Sequence, residues 1–197
     1  MPVDGAALLD EIRNTYTRFV VLPPGAADAL ALWTLHTFAI EAADITPYLI
    51  LTSPQKRSGK STTLTVASAL SYKALTTNNI SPAALFRTIE ACAPTLFIDE
   101  CDTFARENDE LRGILNSGHT RQTAFVIRTV GENPEARRFC TWGPKMLCGI
   151  GTLPDTIRDR AVVLKMQRRT ASEQVEKWRE QSTDQLTDMR RKCLRWA

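Results

Sequence analysis

The segment Ser53 to Thr62 combines small, hydroxylated and basic residues in the order Ser-Pro-Gln-Lys-Arg-Ser-Gly-Lys-Ser-Thr, directly after the apolar run Pro47 to Thr52. A tight loop that follows a strand and opens a helix points several backbone N–H groups, and the positive end of the helix dipole, at one small volume. An anion is stabilised in that volume. The segment therefore predicts a P-loop that binds the phosphates of a nucleotide.

Three residues at the end of this loop have separate roles in the prediction. Gly59 allows the backbone to approach the phosphates, Lys60 brings a mobile positive charge to them, and Ser61 offers a hydroxyl to Mg²⁺. We expect the nucleotide contacts to come from Pro54, Gln55, Lys56, Arg57, Ser58, Gly59, Lys60, Ser61 and Thr62. Pro54 departs from the pattern, because it occupies the position of the first glycine and fixes one backbone angle.

A second pattern is the apolar strand Thr95 to Ile98, which ends in the adjacent acids Asp99 and Glu100. Open α/β sheets bind ligands at the carboxyl ends of their strands, so both acids are expected at the ligand edge. Neighbouring side chains of a strand point in different directions. Asp99 can therefore hold Mg²⁺ through water while Glu100 faces the γ-phosphate and polarises an attacking water. The pair predicts hydrolysis in addition to binding.

The apolar run Lys145 to Ile150 predicts a further buried strand. Nucleotide hydrolases with this Asp-Glu arrangement insert an extra strand between the P-loop strand and the acid strand. The end of that strand commonly carries a polar group that senses the γ-phosphate. Here the chain continues with Gly151 and Thr152, so Thr152 is the candidate sensor, and a simple turn is the alternative.

The segment Leu153 to Arg160 precedes the last apolar strand, where ring-forming ATPases place an arginine aimed at a neighbouring subunit's nucleotide. An arginine supplied in trans neutralises charge on the transferred phosphoryl group, with an effect on the order of 10³ to 10⁵ in rate. Arg158 and Arg160 are both candidates. If one of them is the arginine that acts in trans, the other can pair with Asp155 or Asp159. A purely structural role for both arginines is the alternative.

Four segments together resemble one family: Ser53 to Ser61, Thr95 to Asp102, Leu111 to His119, and Gly149 to Arg160. They resemble an AAA+-like ATPase domain of unknown function in helicase-like replication proteins of phages and mobile elements. The resemblance covers roughly residues 5 to 170, and the family's loop lacks the same glycine as this chain. It implies hydrolysis of ATP with Mg²⁺ in a ring-like homo-oligomer, a hexamer by expectation, near DNA. It does not by itself imply unwinding.

The order of elements predicts an α/β protein, a three-layer P-loop NTPase of the AAA+/ASCE type with a central parallel sheet. Helical spacing of apolar residues over 4–18 and 25–42 predicts a helical lead-in over residues 1–44. The ATPase core is expected over 45–169. Residues 170–197 are expected to form a helical tail or an incomplete lid, with a helix over 171–195 and a break near Ser182 as the alternative.

Composition limits the class of protein. With 197 residues and 43% hydrophobic content, the chain can bury a full core and is not disordered or fibrous. Five cysteines without a Cys-x-x-Cys pair favour buried reduced thiols over a zinc site or a disulfide framework. The N-terminus lacks the pattern of a signal peptide, and no apolar run approaches the roughly 20 residues that span a bilayer. We therefore expect a cytoplasmic protein without a membrane partner.

The runs Thr123 to Val130 and Arg137 to Trp142 flank a turn at 131–135 and predict a hairpin. In related ring helicases a hairpin before the sensor strand grips the DNA backbone, so Arg128, Arg137 and Arg138 are candidate phosphate contacts. The turn holds two acids and a proline instead of the expected lysine, and a solvated hairpin is the alternative. An ATP-gated assembly or partner-binding module without translocation is the alternative function.

Overall fold

The computed structural model describes residues 2–101, 108–130, 135–179, 182 and 186–197. Its α-helices are α1 (Gly5–Phe19), α2 (Ala26–Phe38), α3 (Lys60–Leu70), α4 (Pro82–Cys92), α5 (Asp109–Ser117), α6 (Asp155–Arg158) and α7 (Thr187–Trp196). Its strands are β1 (Tyr48–Ser53), β2 (Ala74–Thr77), β3 (Thr95–Ile98), β4 (Phe125–Val130), β5 (Glu135–Cys140), β6 (Lys145–Ile150) and β7 (Ala161–Lys165). Short 3-10 helices cover Ile40–Ala42 and Arg121–Thr123.

Five parallel strands form the central sheet in the order β2-β3-β6-β1-β7. The strand β6 pairs with β1 on one side and with β3 on the other, so the prediction of an inserted strand is confirmed. The strands β4 and β5 form a separate antiparallel hairpin. Residues 131–134 of the predicted turn at 131–135 lie outside the described residues, and Glu135 begins β5. Because the sheet is parallel, the carboxyl ends of β1, β6 and β3 meet at one edge.

The sheet is covered on both faces, which explains why its central strands are almost continuously apolar. In β1, Leu49 and Leu51 belong to a core shared with α1, α2 and α3. Tyr48 and Ile50, on the other face, belong to a second core with α4 and α5. The predicted three-layer α/β architecture is therefore confirmed.

The first helix shows how the sequence sets up the lead-in. Asp4 caps α1, because its carboxylate accepts the backbone N–H of Ala6 at 2.9 Å. Leu8, Ile12 and Tyr16 follow at helical spacing and are fully buried against the sheet layer. The lead-in therefore shares one core with the sheet.

The predicted tail helix over 171–195 is wrong in its first part. Residues 171–179 are not helical, whereas Thr187–Trp196 forms a helix. The cause is tertiary: the backbone N–H of Glu176 donates to the carbonyl of Arg18 at 2.9 Å, and the Trp178 ring packs edge-on against Phe19. Alternating charges do not supply the apolar stripe that would hold this segment as a helix.

The prediction that all cysteines are buried is also wrong. Cys101, Cys148 and Cys193 are buried, whereas Cys92 and Cys140 are exposed. The two exposed residues are the last residues of α4 and β5, where both elements reach the surface. In the described part of the chain, no helix is long and apolar enough to cross a membrane.

Lys145 begins β6 at the amino edge of the sheet and is buried to 1% exposure. Its ammonium donates to the carbonyls of Thr141 at 2.8 Å and Gly143 at 2.9 Å. Gly118, at the end of α5, lies so close that a Cβ there would collide with the Lys145 ammonium. Burial lowers the pKa of Lys145 to about 7.

We expect this lysine to make stability depend on pH. Its pKa is about 7 in the folded chain, against an ordinary value of 10.5, so the unfolded chain binds more protons between these values and stability rises with pH. Lys145→Met should flatten that rise, which is at most about 1.4 kcal/mol per pH unit. Urea unfolding of both proteins between about pH 6.5 and 9.5, below tyrosine ionisation, measures the two slopes. Equal slopes would contradict the assignment.

Candidate functional site

The loop between β1 and α3 carries the residues predicted to bind phosphate. The helix α3 begins at Lys60, and the preceding residue, Gly59, has a left-handed backbone with φ of 84°. A Cβ at Gly59 would lie 3.3 Å from Cγ1 of Val20, so any other residue would be both strained and crowded. Only glycine suits this position of the loop.

The Lys60 ammonium is folded back onto the loop. It donates to the hydroxyl of Ser53 and, at 3.4 Å, to the hydroxyl of Ser58. Ser53 donates in turn to the carbonyl of Gln55 at 2.6 Å. These contacts hold the cation at the carboxyl end of β1, with neutral hydroxyls as its acceptors.

Ser61 joins the first turn of α3 to the end of β3. Its hydroxyl donates to Oδ2 of Asp99 at 3.0 Å, while Oδ1 of Asp99 accepts the backbone N–H of Glu100 at 2.9 Å. Mg²⁺ prefers hard oxygen ligands and takes several of them from water and from substrate phosphates. A hydroxyl and a carboxylate facing one point therefore fit this ion. Within the described residues, no group of three or more His, Cys, Asp and Glu could hold a metal.

One cavity of about 480 Å³ joins these groups. Its walls are the loop residues 56–62, Asp99 and Glu100, and its remaining lining comes from Gly149 and Ile150 at the end of β6. Glu100 is exposed and has φ of 55°, a left-handed conformation that is uncommon outside glycine and frequent at functional sites. The structure thus brings the loop and both predicted acids together.

The charges of this cavity extend to the strand next to it. Burial raises the pKa of the Cys148 thiol well above its usual value, and the Asp99 carboxylate adds to that effect while Lys60 opposes it. Cys148 precedes Gly149 in β6, so it remains a neutral, buried group beside the site.

Thr152 and Pro54 do not line that cavity. They line a second cavity, of about 290 Å³, together with Arg158 on the side of β7. Arg158 pairs with Asp155 at 2.9 Å, and both side chains are exposed. The structure therefore does not bring the predicted sensor to the same cavity as the acid pair.

Arg160 lies at the opposite edge of the sheet. Its carbonyl accepts the N–H of Tyr48 at the start of β1, at 2.9 Å, and its guanidinium donates to the carbonyl of Thr156. Neither Arg158 nor Arg160 lines the cavity of Lys60 in its own chain. The two candidate arginines therefore face different ends of the molecule.

The three arginines predicted to contact nucleic acid are divided between the faces of the hairpin. Arg128 and Arg137 are cross-strand partners on the face turned to the body of the protein. Arg128 donates to Glu110 of α5 at 2.9 Å, and Arg137 lies 4.9 Å from the ring centroid of Phe139. Arg138 lies on the outward face, where its guanidinium stacks 3.7 Å from the ring centroid of Phe125. Only one of the three predicted contacts is thus directed away from the protein.

A third cavity, of about 430 Å³, adjoins the loop on the side of α1, and sequence reasoning missed it. It is lined by Phe19 and the two following valines, by loop residues that include Gly59, and by tail residues between Gln167 and Trp178. About 150 residues of chain separate the two walls, and no local spacing connects them. Only the fold could show that they meet.

The fold is a three-layer α/β architecture with a central five-stranded parallel sheet, which is consistent with a P-loop-like fold. No protein-family model and no curated protein matches the chain. A solved structure with a similar fold is the A form of the apo C-terminal region of NrS-1, with a TM-score of 0.54 and 13% sequence identity. The likeness covers 99% of this chain and 46% of that chain, so this chain spans about half the length of its neighbour. At this identity the likeness is one of fold.

Proposed function

We propose that this chain binds Mg·ATP and hydrolyses it, as an AAA+-like motor domain that acts on DNA in the replication or mobilisation of a phage or mobile element. The observation that carries the proposal is the single cavity lined by Lys60, Ser61, Asp99 and Glu100. A mobile cation, a hydroxyl, a metal-binding acid and a second acid are the groups that phosphoryl transfer to water requires. The likeness to the NrS-1 C-terminal region supports the fold that such a site needs.

Each residue of the cavity has a distinct task in this proposal. Lys60 exchanges its hydroxyl acceptors, Ser53 and Ser58, for phosphate oxygens, which are stronger acceptors because they are charged. Ser61 and Asp99 would hold Mg²⁺, which supplies positive charge against those oxygens. Glu100 accepts a proton from the water that attacks the terminal phosphorus.

Glu100→Gln should retain ATP binding and lower turnover by about 10²- to 10⁴-fold, because the amide cannot accept the proton of the attacking water. Lys60→Ala should weaken ATP binding at least about tenfold, or about 1.4 kcal/mol. Phosphate release and titration calorimetry measure the two effects. As a control, Glu41→Gln changes an acid in an exposed ion pair outside the cavity, and it should leave ATP turnover and ATP binding unchanged. Wild-type turnover by Glu100→Gln would remove Glu100 as the base.

A ring-like homo-oligomer, with a hexamer as the expected size, is part of the proposal. An arginine that serves a neighbour need not approach the phosphate cavity of its own chain, and neither Arg158 nor Arg160 does so. Arg158 is exposed, and its ion pair with Asp155 spans one turn of α6. Arg160 is half-buried beside the start of β1.

Mixing subunits tests the shared site. If one arginine acts in trans, Arg158→Ala or Arg160→Ala subunits should lose ATPase activity alone and regain part of it when mixed with Glu100→Gln subunits. The mixed interface then combines an intact glutamate with an intact arginine, and the expected gain lies within the range of about 10³ to 10⁵ known for such arginines. ATPase assays of mixtures at fixed total protein measure it. Absence of rescue for both arginines would contradict a shared site.

The second candidate function is an ATP-gated assembly or partner-binding module that does not move on nucleic acid. The ion pair of Arg128 with Glu110 favours it, because it holds one of the three predicted DNA contacts within the protein. Arg138 on the outward face favours the DNA-acting function. DNA binding therefore distinguishes the two candidates.

For the DNA-acting function, affinity for single-stranded DNA should fall steeply with salt, and Arg138→Ala should reduce the slope of log affinity against log salt by about one. Arg191→Ala, which removes an exposed arginine paired with Asp188 in α7, is the matched control and should leave the slope unchanged. Fluorescence anisotropy at several salt concentrations measures the slopes. If DNA neither binds nor stimulates ATP hydrolysis, the assembly module is the better description.

A further inference from the structure

Residues 167–178 leave the end of β7 and form the outer wall of the 430 Å³ cavity. Before them, Met166 is buried, and its N–H donates to the carbonyl of Thr52 at 2.7 Å. After them, α7 is fixed along α1, because Lys192 donates to both carboxylate oxygens of Glu11 at 2.8 Å and Cys193 is buried. We call residues 167–178 the tail strap. It is anchored at both ends and largely exposed in between.

Four residues hold the tail strap to the end of α1, and we call their contacts the latch. Arg18 and Glu176 form an ion pair at 2.8 Å, and the backbone N–H of Glu176 donates to the carbonyl of Arg18 at 2.9 Å. The rings of Phe19 and Trp178 meet edge to face with centroids 4.9 Å apart. The side chains of Arg18 and Glu176 are 47% and 59% exposed, so water competes for the ion pair and weakens it, while the buried Phe19 ring supplies the apolar part of the latch.

The latch lies next to the P-loop. Gly59 is enclosed between Val20, which follows Phe19, and Met166, which precedes the tail strap: a Cβ at Gly59 would lie 3.3 Å from the first and 3.8 Å from the second. The loop therefore contacts both the end of α1 that carries the latch and the anchor from which the tail strap begins. The packing around Gly59 therefore connects the position of the loop, which holds the ligand, with the closure of the latch.

We propose that the tail strap encloses the base and ribose of the bound nucleotide, and that opening of the latch controls nucleotide exchange. This rests on the proposed function, because the 430 Å³ cavity shares Gly59 and its loop neighbours with the cavity of Lys60. The volume lies within the range of about 300 to 1,000 Å³ usual for small organic ligands. The walls combine the aromatic rings of Phe19 and Trp178 with apolar Val20, which suits a flat heterocycle.

The experiment compares ATP with inorganic triphosphate, each with Mg²⁺, in proteins that all carry Glu100→Gln to prevent turnover. Triphosphate lacks a base and ribose, so its release should be the same with an intact or an open latch. ATP should leave about fivefold faster from Glu176→Gln, which loses the ion pair. It should leave about tenfold faster from Trp178→Ala, which loses the ring contact. Rapid dilution of radiolabelled ligand followed by filter binding measures the rates.

Two further variants separate the latch from general loosening of the tail. Lys192→Gln breaks an ion pair of the same kind between the tail and α1, away from the cavity, and should release ATP at the parent rate. Arg18→Glu combined with Glu176→Arg reverses the ion pair of the latch and should restore slow release. Absence of rescue by this exchange would contradict a role of the ion pair in holding ATP.

The outcomes are distinct for the two proposals. If ATP binds and the latch variants release it at the parent rate, the tail strap does not control exchange, while ATP binding stands. If the latch variants accelerate triphosphate release by the same factor as ATP release, the latch supports the loop itself and the enclosure of the base is refuted. If the parent protein binds neither ligand, the proposed function fails, and the role of the tail strap fails with it.

Discussion

The contact between Ser61 and Asp99 depends on the insertion of β6 between the two strands that deliver these residues. Adjacent strands lie about 4.8 Å apart, so β1 and β3 are separated by about 10 Å at the edge of the sheet. The loop after β1 and the first turn of α3 bridge this gap above the end of β6. Gly149, which pairs with Thr52 in the sheet and lines the cavity, leaves open the space between them. The inserted strand thereby sets both the width and the depth of the site.

The first helix has two uses that its sequence does not distinguish. Its buried stripe, with Leu8, Ile12 and Tyr16, covers the sheet as any amphipathic helix would. Its last turn carries Arg18 and Phe19, which contact the tail, and leads to Val20 beside the loop. The side of the loop away from the acids is therefore built by two segments that lie before and after the motif in the chain, the end of α1 and the tail. This arrangement explains why a site defined by a short motif still requires most of the domain.

The sequence predicts the central elements well because their signals are local. The strands Thr95–Ile98 and Lys145–Ile150 are as predicted, since a strand buried on both faces is a short continuous apolar run with clear ends. Helix α4 also follows its cap, because Ser81 accepts the N–H of Ala84 at 3.3 Å and Pro82 begins the helix. Lys60, Ser61, Asp99 and Glu100 could be grouped in advance because a parallel sheet brings strand ends to one edge.

What the sequence could not predict depends on contacts between distant segments. The tail between 171 and 179 has charges at helical spacing, but the contacts at Arg18 and Phe19 hold it in another conformation. The position of Thr152 after β6 predicts that it senses the γ-phosphate, yet Thr152 lines a cavity with Arg158 and not the cavity of Asp99 and Glu100. The hairpin arginines differ in direction because strand pairing places Arg128 and Arg137 on one face and Arg138 on the other. The period of two along a strand predicts that neighbouring side chains point to opposite faces of the hairpin. It does not predict which of the two faces packs against the rest of the protein.

The crowding between Gly118 and Lys145 has a consequence for how this fold can change over generations. The end of α5 comes so near the buried ammonium that even a methyl group at position 118 would need the space that the lysine fills. A shorter residue at position 145 would vacate that space, but it would leave the carbonyls of Thr141 and Gly143 without their donor. A Cβ at position 118 would also lie 2.3 Å from the backbone carbonyl of Thr141, which no change at position 145 removes. Position 118 therefore stays glycine whichever residue occupies position 145, and the donor at 145 is held by the carbonyls around it.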